Sequence, residues 1–170
     1  MKPDRSHLVA EIPHLRRYAR ALTRNSERAD DLVQGCLERA LRGFHSIRQG
    51  KRLRPWLFAI LHNLHVDMIR HQSARGLPVP LDENDMTAAK GPGPDGRLEI
   101  KAVLAEIDRL PQEQRDAVLL IGIEELNYTE AAEVLGIPVG TLMSRLHRGR
   151  TKLRESLGRT EGKPAIRRVK

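Results

Sequence analysis

Between residues 76 and 96 the chain carries Pro78, Pro80, Gly91, Pro92, Gly93, Pro94 and Gly96, with Asp82, Glu83 and Asp85 among them. Proline removes a backbone donor and glycine loses the most entropy on ordering, so this density leaves no room for a regular element. The stretch is expected to be a flexible, acidic interdomain linker. It divides the 170 residues into a first unit, 1–75, and a second, 97–158, followed by a basic tail, 159–170, expected to be disordered. Units of this size can bury only a small core. Leu, Ala, Arg and Glu dominate and aromatics make up 3%, which favours helices over a sandwich or barrel. The expected fold is all-α: two small helical domains joined by a flexible linker, the second containing a helix-turn-helix.

In the first unit a short helical turn over 6–11 precedes a helix over 13–23, with Pro13 in its first turn. Ile12, Leu15, Ala19 and Leu22 form its buried face. Asn25 or Ser26 caps a second helix running to Phe44. Val33, Cys36, Leu37, Ala40, Leu41 and Phe44 face inward on it, and Asp30, Asp31, Gln34 and Glu38 face outward. The helix dipole explains an acid near the N-terminus but says little about Gln34. Residues 45–53 are polar and basic and read as a loop. Pro55 then opens a third helix to His71, with Leu57, Ile60, Leu61, Leu64 and Met68 on its core face. His62, Asn63, Val66 and Arg70 lie opposite.

In the second unit a helix over 97–109 turns Ile100, Val103, Leu104 and Ile107 inward, and Pro111 starts another that runs to Ile123. Asn127 and Glu130 form a capping-box variant at the head of a short helix, and Gly136 suits its C-terminal cap. After the Ile137–Pro138 turn, Leu142, Leu146, Gly149, Leu153 and Leu157 fall on one stripe at helical spacing, while Ser144, His147, Arg148 and Thr151 point away. A short helix, a Gly-containing turn and a basic amphipathic helix make a helix-turn-helix, whose outer face suits a DNA major groove.

Charge agrees with a polyanionic partner. Lys and Arg outnumber Asp and Glu by seven to six over 1–38, eight to one over 39–75 and ten to two over 139–170, but trail five to thirteen over 76–138. Two basic blocks flanking an acidic one suggest two separate contacts with a polyanion. No apolar run approaches membrane-spanning length and nothing resembles a signal peptide, so a cytoplasmic chain without membrane insertion is expected. Cys36, the single cysteine, excludes an internal disulfide and reads as a small buried hydrophobe. His62 and His65 lack the spacing of a zinc site and no phosphate-binding glycine loop occurs. No enzyme, metal or other cofactor is expected.

Three stretches taken together, ADDLVQGCLERAL (29–41), LRPWLFAILHNLHVDMIR (53–70) and LPQEQRDAVLLIGIEELNYTEAAEVLGIPVGTLMSRLHRGRTKLRESL (110–157), resemble the bacterial extracytoplasmic-function (ECF) RNA polymerase sigma factors of the sigma-70 superfamily. The resemblance spans nearly all the chain outside linker and tail. It implies a subunit that binds core RNA polymerase, through its β′ and β subunits, and directs initiation by reading the −35 and −10 elements of promoter DNA. Control by an anti-sigma factor is implied as well. The 29–41 stretch resembles the helix that docks on β′, which implies docking by Asp31, Gln34, Glu38 and Arg39; Gly35 stands where the family often has Glu. The 53–70 stretch and the loop before it resemble the segment that melts and reads the −10 element, which implies contacts by Arg48, Lys51, Arg52, Arg54, His62, Asn63, Val66 and Arg70. Asn63 and Asp67 also suit helix packing, and Trp56 suits the core. The last stretch resembles the −35 reader. It implies groove contacts by Met143, Ser144, His147 and Arg148, phosphate contacts by Arg145 and Arg150, and a backbone phosphate near Thr129 and Glu130. Met143 replaces the Lys or Arg common in the family. The rival is a two-domain helix-turn-helix regulator that does not join polymerase.

Overall fold

The structure, a computed structural model, describes residues 5–47, 52–78 and 94–160. They form seven α-helices: α1 (Arg5–Thr23), α2 (Ser26–Gly43), α3 (Leu53–Arg75), α4 (Pro94–Asp108), α5 (Gln112–Val118), α6 (Tyr128–Leu135) and α7 (Val139–Thr160). A 3₁₀ turn at Phe44–Ser46 follows α2, and a π-helical turn at Leu119–Ile123 extends α5.

The first unit packs α1, α2 and α3 together. Asn25 is the N-cap of α2, its side chain accepting from the Arg28 N–H at 2.9 Å. Leu15, Tyr18, Val33, Cys36, Leu57, Phe58 and Leu61 fill the core, with the Tyr18 and Phe58 rings 5.2 Å apart. Burial pushes the Cys36 thiol up to about 12, and its Sγ donates weakly to the Leu57 carbonyl. Trp56 packs partly buried against this core.

Expectations for the helices of this unit change at several points. Helix α1 runs unbroken through Pro13; Val9, four residues back, and Pro13 are both exposed, so water can take the carbonyl that proline leaves unpaired. Leu41 is half exposed rather than inward, because α1 and α3 cover a narrower stripe of α2, centred on Val33, Cys36 and Ala40. Helix α3 starts two residues earlier and ends four later than expected, closed by Gly76 in the left-handed conformation at φ 65°.

The second unit keeps its capping signals. Asn127 Oδ1 accepts from the Glu130 N–H at 2.9 Å, and the Glu130 carboxylate accepts from the Asn127 N–H at 3.2 Å. Gly136, at φ 64°, turns the chain toward α7, and Leu142 and Leu146 are buried on the expected seam. Gly149 on that seam lets α7 approach α5 closely: a Cβ there would sit 2.9 Å from Val118 Cγ2. Helix α4 begins at Pro94, inside the stretch read as linker, where proline suits a first turn. Ile100 and Val103 are exposed instead of inward, since α4 packs on α5 and α7 through its C-terminal half, by Leu104 and Ile107. The other linker residues from 79 and the tail from 161 lie outside the described residues.

The two units are not separate bodies. Helix α3 packs against α6, and α1 against the turn after α5. Their contact carries ion pairs, described next.

Candidate nucleic-acid interface

Helix α7 presents its outer face to solvent. Met143, Ser144, His147, Arg148 and Arg150 are all exposed, Met143 by 50%. The cap at Asn127 and the left-handed Gly136 set the direction of α7, and its leucine seam holds it on α5 and α6. Its face is thus a rigid helical surface of hydroxyl, imidazole, guanidinium and thioether, the groups that read base edges and thymine methyls. Arg145 differs: it is half-buried and pairs with Glu113 at 3.4 Å. Thr129 is exposed, and Glu130 is occupied in the capping box.

The other basic face is arranged differently. Arg48 and Lys51 lie outside the described residues. Arg52 pairs with Glu130 of the second unit. Arg54 donates through Nη2 to the Glu124 carbonyl at 2.8 Å, lies 3.6 Å from the Glu124 carboxylate and 3.6 Å from Glu11, and covers the Phe58 ring at 5.7 Å. His62, expected on the open side of α3, is buried, with Nδ1 hydrogen-bonded to the Tyr18 hydroxyl at 3.2 Å. His62 is covered because the second unit lies on that side of α3, through α6. Asn63 and Arg70 stay exposed, and Val66 is half-buried.

Burial sets the titration of this contact. It lowers His62 to about 4. It also lowers His65 to about 4, with help from His62 and Arg115, and neither His65 ring nitrogen has a hydrogen-bond partner. Asp116 is raised by burial to about 7, although Arg115 and Arg145 oppose the shift. Between the units lies a cavity of about 410 Å³, lined in part by His62, Val66, Arg70, Asp116 and Arg145.

Periodicity alone missed the centre of this contact, Glu124. Its side chain is 0% exposed and receives a bidentate fork from Arg17, Nε to Oε1 and Nη2 to Oε2, each at 2.9 Å. His14 Nδ1 lies 3.7 Å from Oε2. A second pair, Arg24 with Asp108, joins the units at the α1–α2 turn. In sequence Glu124 and Glu125 fall between the helix expected to end at Ile123 and the cap at Asn127, with no role of their own. Only the run Leu119–Ile123 just before them, apolar without a break, hints that the chain is drawn inward there.

The residues expected to dock on polymerase form a third surface. Asp31, Gln34, Glu38 and Arg39 are all exposed on α2, and Gln34 Nε2 donates to Glu38 at 3.3 Å. Gly35 faces α3, where a Cβ would meet Leu64 at 3.6 Å, so the substitution falls beside this face and not on it. Among the described residues no group of three or more His, Cys, Asp and Glu side chains is placed to hold a metal ion, and no helix is long and apolar enough to cross a membrane.

Comparison with known proteins gives two family matches in chain order, the Sigma2 domain of PhyR over residues 8–62 and Sigma-70, region 4 over residues 100–153. The chain is 39% identical over 153 residues to the ECF RNA polymerase sigma factor EcfG of Rhodopseudomonas palustris (strain TIE-1), covering 88% of this chain and 82% of that one. Among solved structures it is similar to the sigma factor RpoE in complex with the anti-sigma factor NepR from Bartonella quintana. There the TM-score is 0.76 with 31% identity, over 91% of this chain and 96% of that one. CnrH in complex with the cytosolic domain of CnrY gives 0.68 and 26%, over 91% and 87%.

Proposed function

We propose a division of labour among three surfaces from one premise: the chain belongs to the ECF RNA polymerase sigma factors. As a sigma factor it binds core RNA polymerase and directs promoter-specific initiation, while RNA synthesis belongs to the polymerase. The α2 face of Asp31, Gln34, Glu38 and Arg39 docks on the core enzyme. Arg52, Arg54, His62, Asn63, Val66 and Arg70, with Arg48 and Lys51 in the preceding loop, hold and read the melted −10 strand. That task needs cations for phosphates and a pocket for one or two unstacked bases.

Helix α7 reads the −35 duplex through Met143, Ser144, His147 and Arg148. Arg148 is suited to a bidentate contact with guanine, and Met143 to a thymine methyl. Arg150 and Thr129 take backbone phosphates, and so does Arg145 once Glu113 yields it. The single observation that carries this assignment is the exposed polar face of α7, held by a buried leucine seam behind a capped turn. Its regulator is proposed to be an anti-sigma factor, as the complexes of RpoE and CnrH suggest.

Run-off transcription tests the function. Purified chain plus core polymerase is expected to initiate at a subset of genomic promoters, whose aligned upstream sequences reveal two elements. A folded chain that starts transcription at none, yet binds a palindromic duplex tightly without core enzyme, would instead be a regulator that does not join polymerase.

A further inference from the structure

We propose that Gly149 is a positioning residue for the −35 reader. Its missing side chain sets the distance of α7 from α5, and with it the reach of His147 and Arg148 toward the bases. The inference rests on the DNA roles proposed above for α7. Three glycines lie in this 22-residue helix, at positions 140, 149 and 158. Each weakens the helix relative to alanine, because glycine loses more chain entropy on ordering. A Cβ at Gly140 or Gly158 would meet nothing within 4 Å, so packing does not call for glycine there. Gly149 is different. A Cβ there would lie 2.9 Å from Val118 Cγ2, and 3.4 Å from both the Cβ and the carbonyl oxygen of Gln114.

That contact has no soft side. Val118 is buried and β-branched, so few other rotamers are open to it. It is also the last residue of α5 before the π-helical turn, which ties its backbone from both directions. The Gln114 atoms belong to the α5 backbone or stand next to it, and they move only with that helix. A methyl group at 149 therefore pushes α7 away from α5 by roughly 0.5–1 Å, the difference between 2.9 Å and an ordinary carbon–carbon contact.

The push is uneven along α7. Its N-terminal end is held by the capped α6, the Gly136 turn and the buried Leu142 and Leu146. From Val139 to Gly149 the helix rises about 15 Å, so a displacement at Gly149 tilts α7 about its held end. Between α5 and the start of α7 lies an open cleft of about 410 Å³, lined in part by Gln114, Gly140, Thr141 and Ser144. The Arg145–Glu113 pair beside it consists of two flexible side chains that can follow the tilt. His147 and Arg148, next to Gly149, move most; Met143 and Ser144 move least. Groups that recognise a ligand must be held to within about 0.5 Å, so the guanidinium of Arg148 loses its geometry before Met143 does.

The test uses the full chain assembled with core polymerase, in competition among promoter duplexes singly substituted in the −35 element. Gly149→Ala should cut discrimination at least about three-fold at the base pair that Arg148→Ala identifies, and less than about two-fold at pairs read by Met143 and Ser144. Val118→Ala removes the obstructing atom, so the double variant Gly149→Ala/Val118→Ala should recover the wild-type profile. Gly140→Ala adds a methyl to the same helix in open space and should leave the profile unchanged. Residual dipolar couplings of the α7 amides, measured without DNA, should show its axis turned relative to α5 in Gly149→Ala and restored in the double variant. An even loss at every position, tracking a lowered melting temperature, would overturn the positioning role and leave the sigma function standing. An unturned axis, or an equal effect from Gly140→Ala, would overturn it too. An Arg148→Ala profile with no single altered base pair would overturn the −35 assignment instead, a failure that the couplings distinguish because no DNA enters them.

Discussion

Helices α3 and α7 are both proposed to read DNA, yet their outer faces differ in how much of them is covered. On α7 the polar face is in solvent and the seam beneath it is buried. On α3 the face expected to be open is split: His62 is buried in the contact with the second unit and Val66 half-buried, while Asn63 and Arg70 stay in solvent. A helix-turn-helix is set by its own caps and seam, so its reading face is formed before any other domain is considered. The first unit's face depends on what lies across from it. Exposure of the polar face is therefore a local property of the second unit and, at His62 and Val66, a conditional one of the first.

The contrast between seam and face on α7 has the largest test. Leu142 is 0% exposed, so Leu142→Ala is expected to cost about 2–5 kcal/mol in urea unfolding through lost burial and a cavity. Met143→Ala, one residue along and half exposed, should stay within about 0.5 kcal/mol. Comparable losses would mean the two faces are not distinct.

The buried side of α3 is tested by pH. His62 and His65 take up protons near 6.5 when unfolded but only near 4 when folded. Their contribution to stability is full above pH 6.5 and is lost as pH falls toward 4. Asp116 works the other way. It holds its proton to about 7 when folded and releases it near 3.9 when unfolded, so its contribution is full below that value and is lost as pH rises toward 7. Between pH 5 and 6 the unfolded chain gains two histidine protons against one kept by folded Asp116. Stability should then rise with pH across this window, by up to about 1.4 kcal/mol per unit. Asp116→Asn should roughly double that slope, and a flat profile in the variant would show the histidines to be solvated.

At the open face, Arg148→Ala should remove about 1–3 kcal/mol of discrimination at one −35 base pair, measured by competition among single-substituted duplexes. A uniform loss over all sequences would make Arg148 a phosphate contact. The smallest effect belongs to the third surface: Asp31→Ala with Gln34→Ala should weaken core polymerase binding several-fold with unchanged thermal stability, since both side chains are exposed. Unaltered core affinity would move the docking face elsewhere.

Much of this molecule is legible because its signals are local. Asn127, Glu130 and Gly136 act within a few residues of themselves, and the Leu142–Leu146–Gly149 stripe follows from helical pitch alone. The same reasoning misplaces Leu41, Ile100 and Val103, because periodicity tells which residues share a face and not how much of it a neighbour covers. It lets Pro13 divide a helix that solvent in fact keeps whole.

What the sequence determined by itself is the set of helices, the helix-turn-helix with its exposed polar face, and the family to which the three motifs point. Caps, turns and 3.6-residue spacing are written within a single element. The tertiary structure alone decided that Glu124 is buried, that Arg17 grips it, that Arg52 and Arg54 are already engaged, and that His62 is covered. Arg17 and Glu124 stand 107 residues apart, and no periodic pattern links them. Their meeting follows from how two finished helical units pack, where a buried carboxylate must find a cation or be too costly to bury.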